Sequence, residues 1–248
     1  MSVNEETTAG NEGPVPAFVY NEYDQIATRS IRTPIMVRRC NHADLIEDQL
    51  KADGHRTWGY VIYRTTYDND EDWTEFLKRL RFRMEKVFDF FNGRDILDLF
   101  TLTVIEDREH LDGVSAAAVG KLFRQWYATA PELEQPEGAG LGFSPRYRFA
   151  IQVDAESLHS VVHDAPAPPA NDITKKGWVR LINPRWQPSR DIQEVYEPIE
   201  GVTKEHVGWM KVPYQHVMDE SYALAWSLRY WATTYRRPPY VIGYPYNE

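Results

Sequence analysis

The sequence predicts an α+β fold: a mixed or antiparallel sheet with helices packed on one face, for which a ferredoxin-like arrangement is the nearest expectation. Three observations lead there. Stretches of strand character recur, at 58–66, 100–106, 146–153, 178–181 and 209–212. In the first half they alternate with segments whose apolar residues return every three to four positions. A Gly beside a Trp also stands at the mouth of three strands, at Trp58-Gly59, Gly177-Trp178 and Gly208-Trp209.

Residues 1–16 are rich in Glu, Thr, Asn, Gly and Pro and read as a mobile tail, leaving 17–248 as a single α+β domain. Ile35-Met36-Val37 fits a short strand. Asn41 fits the cap of a helix carrying Leu45, Ile46 and Leu50, which Gly54 would end. After the strand at Trp58, Asp68-Asn69-Asp70 supplies cap candidates for a long helix. Its stripe is Trp73, Phe76, Leu77, Leu80, Met84, Val87, Phe88 and Phe91, with Asn92-Gly93 as the stop. A second helix begins at Ser115 and turns Val119, Leu122, Phe123 and Trp126 inward.

Prolines and glycines make 131–145 a loop. Arg146 to Val153 alternates with Tyr147, Phe149, Ile151 and Val153 inward, and Asp154 to His163 reads as a short helix. Pro-broken connections flank the strands at Trp178 and Trp209. The final helix, with Asp219 as its cap, carries Tyr222, Ala225, Trp226, Arg229 and Trp231 and must stop before Pro238-Pro239. The apolar character of Tyr240-Val241-Ile242 favours an aromatic tail that wraps back over the core.

Composition limits the function. The 248 residues carry a net charge of −9, which argues against a general polyanion binder and makes nucleic acid an improbable partner. Cys40 is the sole cysteine, so neither an internal disulfide nor a cysteine zinc cluster can form. The first thirteen residues lack the apolar run of a secretory signal, and no stretch reaches the length of a membrane span. A cytoplasmic protein without a membrane partner is the expectation.

The first candidate site is the Trp/cation face. Alternation puts Trp178 with Arg180, Trp209 with Lys211, and Trp58 and Tyr60 with Arg64. Indoles beside cations suit a ligand cleft, a base-stacking platform or a contact between subunits. The alternative is that helix or loop covers them and the cations reach water along their stems. A homodimer contact or cover by the C-terminal helix is the favoured reading.

Other clusters carry less. His159 and His163 stand four apart, with Asp164 and His110 as further donors, but no HExxH pattern or second ligand pair accompanies them, so no metal is expected. Glu106 to His110 fits a solvated charged turn. Asp219-Glu220 after His216 fits either general acid–base work or an acidic helix start. The run Lys78 to Arg83 reads as the outer side of the long helix, and Cys40 beside Arg38-Arg39 as a structural thiol. No GxGxxG, GxxxxGK[ST] or GxSxG occurs, so no cofactor and no catalytic residue is assigned.

The block Trp58-Gly59-Tyr60-Val61-Ile62-Tyr63-Arg64-Thr65-Thr66-Tyr67, followed by acids and Trp73, resembles a large family of filamentous-fungal proteins with no assigned activity. The likeness extends to a middle strand ending in Val153-Asp154 and a late Gly208-Trp209-Met210-Lys211-Val212 strand, about half the chain. It implies a cytosolic α+β fungal protein and transfers no catalytic residue. The expected function is therefore a non-enzymatic interaction or dimerising module using the Trp/cation face. The alternative is a small enzyme or metabolite-binding protein of a fungal biosynthetic pathway.

Overall fold

The computed structural model describes residues 30, 32–33, 41–187 and 195–243. The expected tail 1–16, the strand at Ile35-Met36-Val37, Cys40 and the end of the aromatic segment lie outside the described residues.

Helix α1 (His42–Asp53) begins where the Asn41 side chain accepts the Asp44 N–H, and ends at Gly54 in the left-handed conformation. Strand β1 (Val61–Arg64) leads to α2 (Asp70–Phe90), whose Asn69 side chain accepts the N–H groups of Glu71 and Asp72. Three acids in the first turn of α2 complement its dipole. The short α3 (Arg94–Leu97), strand β2 (Thr103–Ile105) and α4 (Arg108–Leu111) follow. Next come α5 (Ala116–Tyr127), capped by Ser115, and α6 (Ala130–Glu134). Strand β3 (Ala150–Val153) runs into α7 (Ala155–His159), which widens into a π turn at Ser160–Asp164. After β4 (Trp178–Ile182) and β5 (Trp209–Pro213), a second π turn (Val217–Ser221) leads to α8 (Tyr222–Leu224) and α9 (Tyr230–Thr234).

The five strands form one mixed sheet in the order β2-β1-β3-β4-β5. Strand β1 is parallel to both β2 and β3, while β4 is antiparallel to β3 and to β5. The α+β class with a mixed sheet is thus the observed one, but helices cover both faces. Ile62, Ile151, Leu181 and Met210 align across the sheet and pack on residues of α1, α2, α7 and the C-terminal helices. On the opposite side Val61, Tyr63, Ala150, Ile182 and Trp209 meet Val119 and Phe123 of α5. The apolar stripe of α5 needs a partner of its own, and that need departs from the expectation of helices on one face.

The glycines beside the tryptophans answer to close packing. Gly59 has φ +111°, and a Cβ there would lie 2.6 Å from the Phe100 ring. Gly208 has φ +84°, and a Cβ would lie 2.8 Å from the Trp186 indole. Each strand mouth is closed by an aromatic ring that a larger residue would displace.

Three local expectations are corrected. Pro145–Tyr147 forms a 3₁₀ turn, so β3 starts only at Ala150. Arg146 is fully buried there, with Nε 2.6 Å and Nη2 2.7 Å from the two Glu134 carboxylate oxygens and Nη1 donating to the Gly59 carbonyl at 2.8 Å. The Lys78–Arg83 run is not wholly outward. Arg79 and Arg83 are buried, Arg79 donating to the Val161 carbonyl and Arg83 holding Asn171 and the Ala170 carbonyl. The final helix is broken into a π turn and two short pieces, and Asp219 caps none of them. The wrapping of the tail is observed: Val241 bridges to Lys211, the Ile242 N–H donates to the Lys211 carbonyl at 2.9 Å, and Ile242 is fully buried.

Candidate functional site

The seven residues expected on one Trp/cation face divide between the two sides of the sheet. Ile62 pairs with Ile151, and Ile151 with Leu181, so the side chains of even-numbered β1 residues lie opposite those of Trp178 and Arg180. Trp58 and Tyr60 belong to the core against α2 and the C-terminal helices. Arg64 is buried beside them, its guanidinium 4.5 Å from the Tyr67 ring centroid and 5.0 Å from that of Trp73, and paired with Asp70.

Trp178, Arg180, Trp209 and Lys211 do share a face, and they occupy one another. Arg180 lies 4.1 Å from the Trp209 ring centroid and Lys211 3.6 Å from that of Trp178, a crossed pair of cation–π contacts between β4 and β5. Arg180 also pairs with Asp154 and Glu200, and Glu200 accepts the Ala116 N–H at the start of α5. Trp178 is 8% and Trp209 3% exposed. The cover over Trp209 is the 199–207 segment with α5 rather than the C-terminal helix. Burial pushes the Lys211 ammonium below its ordinary pKa, against the pull of Glu156. Arg180→Lys is expected to cost about 1–2 kcal/mol in urea denaturation, because a lysine cannot grip two carboxylates while stacking on an indole. An unchanged midpoint would remove Arg180 as the clasp of this face.

The chemically richer place is a cleft of about 660 Å³ between α2, the 171–175 turn and the second π turn. At its edge, Asp219 is buried beneath two imidazoles. His42 Nδ1, on the first residue of α1, is 3.1 Å from Asp219 Oδ2, and His216 Nδ1 is 3.8 Å from the same oxygen. Burial works against the Asp219 charge, yet His216 and His42 together hold its pKa down to about 2. Burial likewise opposes the His216 imidazolium, and the adjoining Asp219 carboxylate outweighs it, raising the pKa. Gln215 Nε2 lies 3.1 Å from His216 Nε2, a contact that suits the neutral ring and works against the pull of Asp219. Glu220, next in the π turn, is pushed up by burial. A π turn adds a residue to a helical turn and re-aims its side chains, and here it brings Asp219 and Glu220 into the cleft.

Several lining residues are occupied in holding the walls. Arg83 spans Tyr214 and the 169–171 loop. The Asp172 carboxylate accepts the Gly177 N–H at 2.7 Å, and the Gln215 amide brackets the Asp172 backbone. Among the described residues, no serine, threonine, cysteine or tyrosine lines this cleft. The described lining offers imidazoles, carboxylates and ammonium groups, which suit proton transfer and charge recognition.

The His159 and His163 imidazoles each stand beside a carboxylate. His163 Nε2 contacts Asp72 at 2.7 Å and His159 Nε2 stands 3.6 Å from Asp164, both on the surface. Among the described residues no group of three or more His, Cys, Asp or Glu is arranged to hold a metal ion. The expected charged turn at 106–110 is instead the start of helix α4, where the Asp107 side chain caps the helix and pairs with the exposed His110 ring. Among the described residues, no helix is long and apolar enough to cross a membrane.

Of this cleft, the sequence pointed only to His216 and the acidic pair after it. His42 and the two lysines of the walls, Lys86 and Lys175, were not singled out. His42 is 177 positions from Asp219, so only the packing of α1 on the C-terminal segment joins them. The His216-x-x-Asp219 spacing is the one local signal. No protein-family model matches the chain, and neither the curated proteins nor the solved structures contain a match.

Proposed function

We propose that the protein binds a small molecule in the His42/His216 cleft and acts on it by general acid–base catalysis. His42 and His216 are the proton carriers, and Asp219 orients both rings and favours the charged form of His216. The observation that carries this reading is one buried, strongly acidic carboxylate shared by two half-open imidazoles at the edge of a cleft of ligand size. It favours the enzyme or metabolite-binding alternative over the dimerising module, since the Trp178 and Trp209 indoles are already covered within one chain.

The test is a thermal-shift screen of small metabolites, with hits placed by imidazole NMR. A hit should perturb the His42 and His216 resonances, and its binding should change as pH rises through the raised His216 pKa. Where a hit is turned over, His42→Gln and His216→Gln should each lower the rate by about 10²–10⁴-fold. Hits that perturb neither imidazole, or that bind equally well to both variants at every pH, defeat the reading.

A further inference from the structure

The walls of the cleft separate into charges already spent and charges left over. Arg83 is engaged by Tyr214, Asn171 and loop carbonyls, and Asp172 by Gly177. Asp219 is engaged by the two imidazoles. Three charged groups remain: Lys86, Lys175 and Glu220. Among the described residues, no carboxylate lies within ion-pair distance of either ammonium. Lys86 rests 5.7 Å from the Phe82 ring centroid on α2. Lys175 stands on the facing wall at φ +54°, in a turn closed by its N–H to the Asp172 carbonyl at 3.2 Å. With the imidazoles neutral, two ammonium groups against one carboxylate leave a single surplus positive charge.

The rim is apolar where it should be polar. Phe90 is 76% exposed and Ile173 84%, and both line this cleft, on α2 and on the 171–175 turn respectively. Val87 and Phe91 continue the apolar wall inward. Large apolar side chains left in water on both walls are shielded when an apolar body lies between them. A volume of about 660 Å³ suits a compound of metabolite size.

We infer that the ligand is an amphipathic monoanion: a carboxylic acid with an aromatic or branched aliphatic body. Its carboxylate sits between Lys86 and Lys175, and its body lies against Phe90, Phe91 and Ile173. The inference rests on the cleft being the functional site. While the imidazoles are neutral, Glu220 decides against a dianion such as a phosphate monoester, because a second negative charge would face a carboxylate with no further cation to answer it. The arrangement sets the acid's body or α-carbon, rather than its charged end, towards the imidazoles.

Isothermal titration with 3-phenylpropionate, 3-phenylpropionamide and phenyl phosphate tests this, with imidazole NMR reporting the place of binding. The acid should perturb His42 and His216 and bind at least about tenfold more tightly than the amide. The double variant Lys86→Gln/Lys175→Gln should erase that preference and leave binding of the amide unchanged. At pH 9, where phenyl phosphate is a dianion and the imidazoles are neutral, it should bind more weakly than the acid. Equal binding of acid and amide at the imidazoles overturns the anion and leaves the cleft reading standing. Tighter binding of the phosphate overturns the single charge. If none of the three perturbs the imidazoles, the ligand class is wrong, and the cleft reading then depends on the metabolite screen alone.

Discussion

Asp219→Asn is expected to lower stability by about 3–5 kcal/mol near pH 5.5, the range for removing one partner of a buried charged pair. The pH dependence is more diagnostic than the size. The Asp219 pKa is depressed from 3.8 to about 2, so its contribution is fully present above about pH 4 and fades as pH falls through 2. That depression accounts for about 2 kcal/mol of the loss. The His216 pKa is raised above 6.5, so its share is present below that pH and disappears as pH rises through the folded value. The difference between the two proteins should therefore be greatest from about pH 4 to 6.5 and shrink on either side. Urea denaturation at pH 3, 5.5 and 9 measures it. A difference that stays flat across the three would show that Asp219 is held by packing alone and would uncouple it from the imidazoles.

The same contrast explains what the sequence could and could not show. Asn41, Asn69, Ser115 and Asp154 each sit where a short polar side chain satisfies the free N–H groups of a helix start, and all four cap the helices that follow. Strand parity was equally legible, because alternation is a local property: Val179, Leu181, Met210 and Val212 all reach the core. Parity, however, says nothing about which face of one strand continues which face of another. Only the β1–β3–β4 register shows that Trp58 and Trp178 lie on opposite sides. The inward turn of Arg79 and Arg83 was hidden for a different reason. Their burial is offset by loop carbonyls near Val161 and Ala170, partners more than eighty positions away. The cleft was least legible of all, since α1, α2, the 171–175 turn and a π turn each supply one wall of it.

Trp58→Ala is expected to cost a further about 3–5 kcal/mol, as for other large-to-small changes of a buried aromatic residue. The indole is fully buried, with ring centroids 5.2 Å from Phe88, 5.0 Å from Phe100 and 5.2 Å from Tyr222. Its Nε1–H donates to the Ile96 carbonyl at 2.7 Å, so truncation leaves that acceptor unpaired as well as opening a cavity. Trp58→Phe keeps most of the ring contacts and loses the hydrogen bond, and should cost about 1–2 kcal/mol. For a chain of this size the alanine variant should melt roughly 10 °C lower. Tyr222, which packs on Trp58, directly follows the π turn that carries Asp219. A cavity beneath Tyr222 relaxes that turn, so the raised His216 pKa should move back towards 6.5 in Trp58→Ala and hold in Trp58→Phe. Imidazole NMR at increasing pH reads this directly. An unshifted His216 in a folded Trp58→Ala protein would mean that α1, through His42, holds Asp219 in place without help from the core beneath it.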